Sequence, residues 1–206
     1  MIGDDVVDLG DPETRPGAEH RGFDARVFAP SELAALARSG DRRRLRWIFW
    51  SAKEAAYKAA KRREPGTVFS PSRFVVTWDS SRAGRVVHGV DRYDLTVDVA
   101  AERVHAVASA VRLRGRVLSA AERMSSGDAA TAAEASARAR ELAVRSVAPA
   151  LGLPPGSLRI ERDGRLPRLV RGSRAISAAL SLSHHGRFVS FACLLDALPE
   201  AAESVA

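Results

Sequence analysis

Apolar and polar positions along the chain follow two periods, and the switches between them mark its elements. Met1–Leu9 reads as a strand, followed by a loop through Pro12, Pro16 and Gly17. Ser31 to about Arg38 reads as a short helix. Asp41 is suited to cap a second helix that runs to about Arg63, where Pro65-Gly66 stops it. Alternating or β-branched runs predict strands at about Arg73–Trp78, Arg85–His88, Tyr93–Val99 and Val104–Val111. Further on, Thr131-Ala132-Ala133-Glu134 is a capping-box pattern that opens another long helix, expected to end before Pro149 or Gly152. The apolar run Phe188–Leu195 reads as a buried strand.

The pattern recurs. Arg26–Glu32 is echoed by Arg116–Glu122, Lys53–Lys58 by Arg140–Arg145, Leu95–Asp98 by Leu180–Ser183, and Arg103–Ala108 by Arg187–Ala192. The offsets drift slowly through 90, 87, 85 and 84 residues, and the order is kept. This predicts an α+β protein built as a pseudo-dimer of two similar halves, 1–112 and 113–206, with a loose tail from about residue 197. Two such halves enclose one cleft, which is where a ligand site is expected.

Composition narrows the function only in part. A net charge of +7 favours an acidic partner: nucleic acid, a phosphorylated cofactor or an acidic protein. Cys193 is the one cysteine, which excludes an intrachain disulfide and a cysteine-rich metal site; within its apolar run it reads as a core thiol. Acidic residues at 4, 5 and 8 and the lack of a long apolar run point to a cytoplasmic chain without signal peptide or membrane span.

Trp50-Ser51-Ala52-Lys53-Glu54-Ala55-Ala56-Tyr57-Lys58 concentrates the candidate chemistry. At 3.6 residues per turn Trp50, Glu54 and Lys58 share one stripe, with Lys53 flanking it. A carboxylate among amines suits Mg²⁺ bound to a polyphosphate, though the same residues also fit a plain surface helix with a Glu54–Lys58 pair. In Gly3-Asp4-Asp5-Val6-Val7-Asp8-Leu9, alternation puts Asp5 on a largely apolar face, where a carboxylate needs a cation or a partner unless the strand is frayed and solvated. Ser181-Leu182-Ser183-His184-His185-Gly186 lacks a nucleophile elbow, and adjacent histidines point to opposite faces, which disfavours a zinc site with His88 or His105. A phosphate-binding turn fits its hydroxyls, imidazole and glycine, as does a structural strand-end turn.

Taken together, Gly3-x-Asp5-Val6-Val7-Asp8, Trp50-x-x-Lys53-Glu54-Ala55-x-x-Lys58 and Ser181-Leu182-Ser183-His184 resemble the 4'-phosphopantetheinyl transferase superfamily, from residue 3 to about 195. The motif order is similar to the holo-acyl-carrier-protein synthase branch, whereas the length and repeat are similar to the longer pseudo-dimeric branch. The resemblance implies Mg²⁺-dependent transfer of phosphopantetheine from coenzyme A to a serine of an apo carrier protein, releasing adenosine 3',5'-bisphosphate. It implies that Asp5 and Glu54 hold the metal, and that Lys53 and Lys58 neutralise phosphate oxygens. Ser183 and His184 would bind the nucleotide side, with Arg165 in Gly164-Arg165-Leu166-Pro167 as a further contact. Glu54, or a water on the metal, would take the serine proton. Three positions depart from the family: Asp4 stands at a usually small or apolar place, Val7 at that of a third acid, and His185 at that of a small polar residue. Asp8 lies on the wrong face to replace the third acid, so water is expected there. The carrier would be acidic, and the repeat implies a monomer. Two alternatives remain: a basic module binding nucleic acid through Arg42-Arg43-Arg44, Arg46 and the lysine helix, and an inactive homologue that only binds coenzyme A.

Overall fold

A computed structural model describes residues 1–110, 115–125, 130–154, 156–164 and 166–196. The expected tail from residue 197 and Arg165 lie outside them. The first run of elements is β1 (Ile2–Asp8), α1 (Phe23–Val27), α2 (Pro30–Arg38), α3 (Arg42–Arg63), β2 (Val75–Trp78), β3 (Ala83–His88), β4 (Asp91–Val99) and β5 (Arg103–Ala110). The second comprises β6 (Gly115–Arg123), α4 (Ala132–Ala150), β7 (Leu158–Asp163), β8 (Leu166–Arg171), β9 (Arg174–Ala175), β10 (Ala178–His185) and β11 (Phe188–Asp196). The fold is α+β, as expected.

Among the described residues three antiparallel sheets form, ordered β1-β5-β4-β3-β2, β10-β11-β6 and β7-β8-β9. The order β6-β11-β10 repeats β1-β5-β4, and the last three sequence echoes fall on matching elements. The first echo does not: Arg26–Glu32 spans the end of α1 and the start of α2, whereas Arg116–Glu122 lies in β6. Their shared residue types are compatible with either structure, and β6 pairs along its length with β11. The long helix α4 runs through Pro149 to Ala150 and so ends before Gly152, the later of its two expected stops.

α3 explains where the site lies. Asp41 caps it by accepting a hydrogen bond from the Arg44 amide at 3.0 Å, and Lys61, Arg62 and Arg63 suit its carboxyl end. Ala52, Ala55, Ala56, Ala59 and Ala60 are buried and let the helix approach the sheet closely. A Cβ at Gly3 would stand 2.1 Å from the Ala55 carbonyl oxygen and 2.7 Å from the Ala59 nitrogen, so only glycine permits this distance between β1 and α3. The opposite side of β1 lies against β10 and β11, where Ile2 packs with Val107, Ala192 and Leu194. β1 is therefore buried throughout, and its acids are not those of a frayed strand.

Candidate active site at the junction of α3, β1 and β10

Asp5, Glu54, Lys58 and Ser183 converge although they come from opposite ends of the chain. The Lys58 ammonium donates to the Asp4 carbonyl oxygen at 2.8 Å, Asp5 Oδ1 at 3.0 Å and Ser183 Oγ at 3.0 Å. Ser183 in turn donates to Asp5 Oδ1 at 3.1 Å. Burial by itself would lower the Lys58 pKa, but the carboxylates of Asp5, Asp4 and Glu54 raise it, and the lysine stays charged. Its side chain is partly exposed toward a cavity, so the charge remains available to a ligand.

Glu54 is half-buried, and among the described residues no group donates a hydrogen bond to it. Burial, followed by the negative charge of Asp5, pushes its carboxyl up to about 7, against the pull of Lys58. Two carboxylates facing each other without enough positive charge form an incomplete electrostatic set. A divalent cation held by Asp5 and Glu54 would relieve the repulsion, so these oxygen donors fit the hard metal that the family pattern implies.

Beyond Lys58 lies a cavity of about 490 Å³ between α3, α4, the β7–β8 hairpin and β10. Lys58, Lys61, Arg62, Arg140 and Arg162 line it together with His184. The His184 pKa is lowered by burial, by Lys58 and by His185, leaving a neutral imidazole that can donate one hydrogen bond. Sequence reasoning missed Arg62 and Arg140, though a signal for each existed. Arg62 extends the Trp50, Glu54, Lys58 stripe by one more turn, and Arg140 is the first residue of the echoed helix motif.

Lys53 requires correction. Its ammonium is fully buried and spends all three N–H groups inside the fold, on Glu32 at 2.6 Å and on the carbonyls of Pro71 at 3.1 Å and Phe74 at 2.5 Å. Being one residue before Glu54, it is rotated by about 100° around the helix and points to β2 rather than to the cavity. Asp8 is likewise unavailable to a metal. It is fully buried, receives the Arg187 guanidinium at 2.7 Å and accepts from the backbone of Gly10 and Arg187 at 2.7 and 2.9 Å. These contacts pin the β10–β11 turn to the end of β1, and a Cβ at Gly186 would stand only 2.6 Å from Asp8 Oδ2.

Asp4, the residue out of pattern, is fully buried at the contact between sheets. Ser190 donates to it at 2.6 Å, its amide donates to Ser181 Oγ at 3.0 Å, and His105 stands 3.4 Å away. His88 is stacked on the Phe74 ring at 4.1 Å, far from any shared histidine site. Asp11, Glu13 and His185 form the one cluster of three metal-type ligands among the described residues. His185 Nδ1 already accepts from the Asp8 amide at 3.1 Å, which puts the neutral ring's proton on Nε2 and leaves no free lone pair for an ion. Burial raises the Cys193 thiol to about 12, consistent with a core residue.

Among the described residues the echoed segments carry no second copy of this set. Along the paired strands, Ala121 of β6 occupies the place that Asp5 has in β1, and Ser119 that of Gly3. Glu141 and Arg145, the echoes of Glu54 and Lys58, pair on the surface with Arg138 at 2.7 Å and Glu122 at 2.6 Å.

The sequence profile of the 4'-phosphopantetheinyl transferase superfamily matches residues 1–111, more than half of the chain and including Asp5, Glu54 and Lys58. The chain belongs to the 4'-phosphopantetheinyl transferase superfamily. Among solved structures it is similar to holo-[acyl-carrier-protein] synthase of Thermotoga maritima, at 15% identity and a TM-score of 0.42, over 84% of this chain and 83% of that one. No curated protein sequence matches. Members of a superfamily that handles phosphopantetheine need to grip a polyphosphate, which agrees with the cationic cavity beside Lys58. Among the described residues no helix is long and apolar enough to cross a membrane.

Proposed function

We propose that the protein transfers the 4'-phosphopantetheine group of coenzyme A to a serine of an apo carrier protein. The observation that carries this reading is the junction itself: Asp5, Glu54, Lys58 and Ser183 meet beside a cavity lined by five lysine and arginine side chains. The two runs of elements are read as halves of a pseudo-dimer, with this junction as its cleft and a monomer as the working unit.

The nucleotide end of coenzyme A lies in the cationic cavity, with Arg62, Arg140, Lys61 and Arg162 available to its 3'-phosphate and His184 donating to a phosphate oxygen. Lys58, whose three N–H groups are taken by Asp4, Asp5 and Ser183, offsets the charge of the pyrophosphate from beside it. The carrier serine oxygen forms a bond to the phosphorus nearer the pantetheine arm, the bridging P–O bond breaks, and adenosine 3',5'-bisphosphate leaves. Glu54, one of the two carboxylates at the junction, takes the serine proton. Asp5 and Glu54 would hold Mg²⁺, which when bound supplies charge compensation to the pyrophosphate. Positioning and charge stabilisation are most of what phosphoryl transfer asks of a protein, and these residues provide both.

The arginines of the nucleic-acid alternative have partners within the fold. Arg42 and Arg46 bind Asp24 at 2.8 Å, Arg43 donates to the carbonyls of Thr14 and Leu9, and Arg44 faces Asp41 at 3.6 Å. The reading is tested by incubating the protein with coenzyme A, Mg²⁺ and apo carrier proteins from fatty-acid, polyketide and peptide synthases. A mass increase of one phosphopantetheine on any of them is expected. If all stay unmodified while a reference transferase modifies them, the catalytic reading fails, and calorimetry with coenzyme A then decides whether an inactive binder remains. The cytoplasm, where coenzyme A and apo carriers meet, is the compartment this chemistry needs.

A further inference from the structure

Among the described residues β1 and β10 belong to different sheets, so their relative register is not set by a backbone ladder. Side chains set it instead. Asp4 and Asp8 turn their N–H groups away from β5, toward β10. The Asp4 amide donates to Ser181 Oγ at 3.0 Å, and the Asp8 amide to His185 Nδ1 at 3.1 Å. These two rungs are four residues apart in each strand and run in the same direction. They span about 13 Å. Ser183 lies midway between them, on the face that alternation shares with Ser181 and His185, and it is the residue that meets Asp5 and Lys58.

Asp4 adds a third anchor. Its carboxylate accepts from Ser190 Oγ of β11 at 2.6 Å, with His105 Nε2 of β5 at 3.4 Å. Its carbonyl, on the same open edge of β1, accepts from the Lys58 ammonium at 2.8 Å. Burial works to raise the Asp4 pKa, but His105, Lys58 and Ser190 lower it overall, so the carboxylate stays charged. The arrangement is costly, since Asp4 is fully buried and its Oδ1 has no hydrogen-bond partner among the described residues. The neighbouring contact of Ile2 with Ala192 and Leu194 is apolar and without direction, so it does not by itself choose a register.

We infer that Asp4 and His185 are positioning residues, which hold β10 and β11 on the open edge of β1 in the register at which Ser183 meets Asp5 and Lys58. Both are among the positions that depart from the family pattern. A slip of one residue would bring Leu182 or His184 to the place of Ser183 and leave Asp5 without its hydroxyl partner. Arg187 also reaches Asp8, but its long side chain can follow a small shift, whereas an imidazole and a short carboxylate cannot. In a reaction that depends on positioning, a displacement of about 1 Å costs about a hundredfold in rate. The effect on transfer rests on the proposed function; the register does not.

Amide hydrogen exchange read by NMR, with steady-state transfer kinetics, tests this on wild type, His185→Leu, His185→Asn and Asp4→Ala. His185→Leu removes the acceptor of the Asp8 amide, and His185→Asn offers a side-chain oxygen in its place. His185→Leu is expected to speed exchange about tenfold at the Asp8 amide and, because the rungs hold together, at the Asp4 amide as well. Its kcat should fall about tenfold with the KM for coenzyme A kept within about threefold, and His185→Asn should restore both exchange and kcat. Asp4→Ala should speed exchange at Asp8 through the same coupling. His185 is only half-buried, so its variants carry the test if Asp4→Ala does not fold. An Asp4 amide that ignores His185→Leu, or no recovery with asparagine, overturns the inference. So does a lowered Tm with kcat intact, which marks a merely structural contact. If wild type modifies no carrier, the proposed function falls and exchange alone decides the register: coupled amides keep it, and independent ones refute it.

Discussion

Replacing Glu54 by glutamine keeps the shape of the side chain and removes the charge that the fold tolerates least. The folded chain holds the Glu54 carboxyl at about 7 against 4.5 for an ordinary glutamate, through burial first and Asp5 second. Between those pH values the folded state keeps a proton that the unfolded state releases, so stability falls as pH rises through the window. The deficit is complete above about pH 7 and absent below about pH 4.5. At about 1.4 kcal/mol per pH unit, relaxation and partial solvent access leave a deficit of about 2–3 kcal/mol. Glutamine should recover it: at pH 8 in EDTA the Tm of Glu54→Gln is expected about 5–10 °C above wild type, and at pH 4.5 the two should coincide. Mg²⁺ should raise the wild-type Tm at pH 8 and do less for the variant, while transfer to the carrier is lost. Differential scanning fluorimetry across this pH range reads all of it. A Glu54→Gln protein that melts below wild type at pH 8, or by a margin that ignores pH, would refute the picture of a strained carboxylate pair awaiting a cation.

Three further substitutions probe the frame around the site. Asp8→Asn should cost about 3 kcal/mol in urea unfolding at pH 7, because it removes the buried carboxylate charge that faces Arg187. Burial works to raise the Asp8 pKa, but the Arg187 side-chain and backbone hydrogen bonds lower it overall, so its contribution is present above about pH 4 and lost as pH falls further; a loss under 1 kcal/mol at pH 7 would contradict the lock. Gly3→Ala forces α3 off β1 and should cost about 1–3 kcal/mol, with a larger drop in transfer rate as Asp5 and Glu54 part; unchanged stability and rate would disprove the close approach. Lys53→Met should lose about 3–5 kcal/mol by stranding Glu32, with coenzyme A affinity of the folded protein kept within about twofold. Weaker coenzyme A binding at intact stability would instead restore Lys53 as a phosphate ligand.

Local rules carried much of this protein without any tertiary information. The Asp41 cap, the stop after Arg63, the strand alternation and the Thr131 capping box depend on residues within a turn or two, and each is where the pattern put it. The shared stripe of Trp50, Glu54 and Lys58 follows from helical periodicity alone, and the motifs at Asp5 and Ser183 pointed to the same site. What only the tertiary structure decided are contacts between residues far apart in sequence. Ser183 reaches Asp5 across 178 positions and Arg187 reaches Asp8 across 179, and no local pattern encodes which acid meets which cation. Lys53 and Lys58 show why. Both are lysines on one helix, but burial drives the first to the nearest acid and carbonyls in the core, and the second to the carboxylate that β1 brings beneath it. The sequence alone determined α2, α3, α4, most strands of the first run and the kinds of group available to the site, but not β6 to β9. Packing decided which of them face the cleft, because a buried charge goes where its desolvation is best compensated, and that place exists only once the sheets and helices have closed around it.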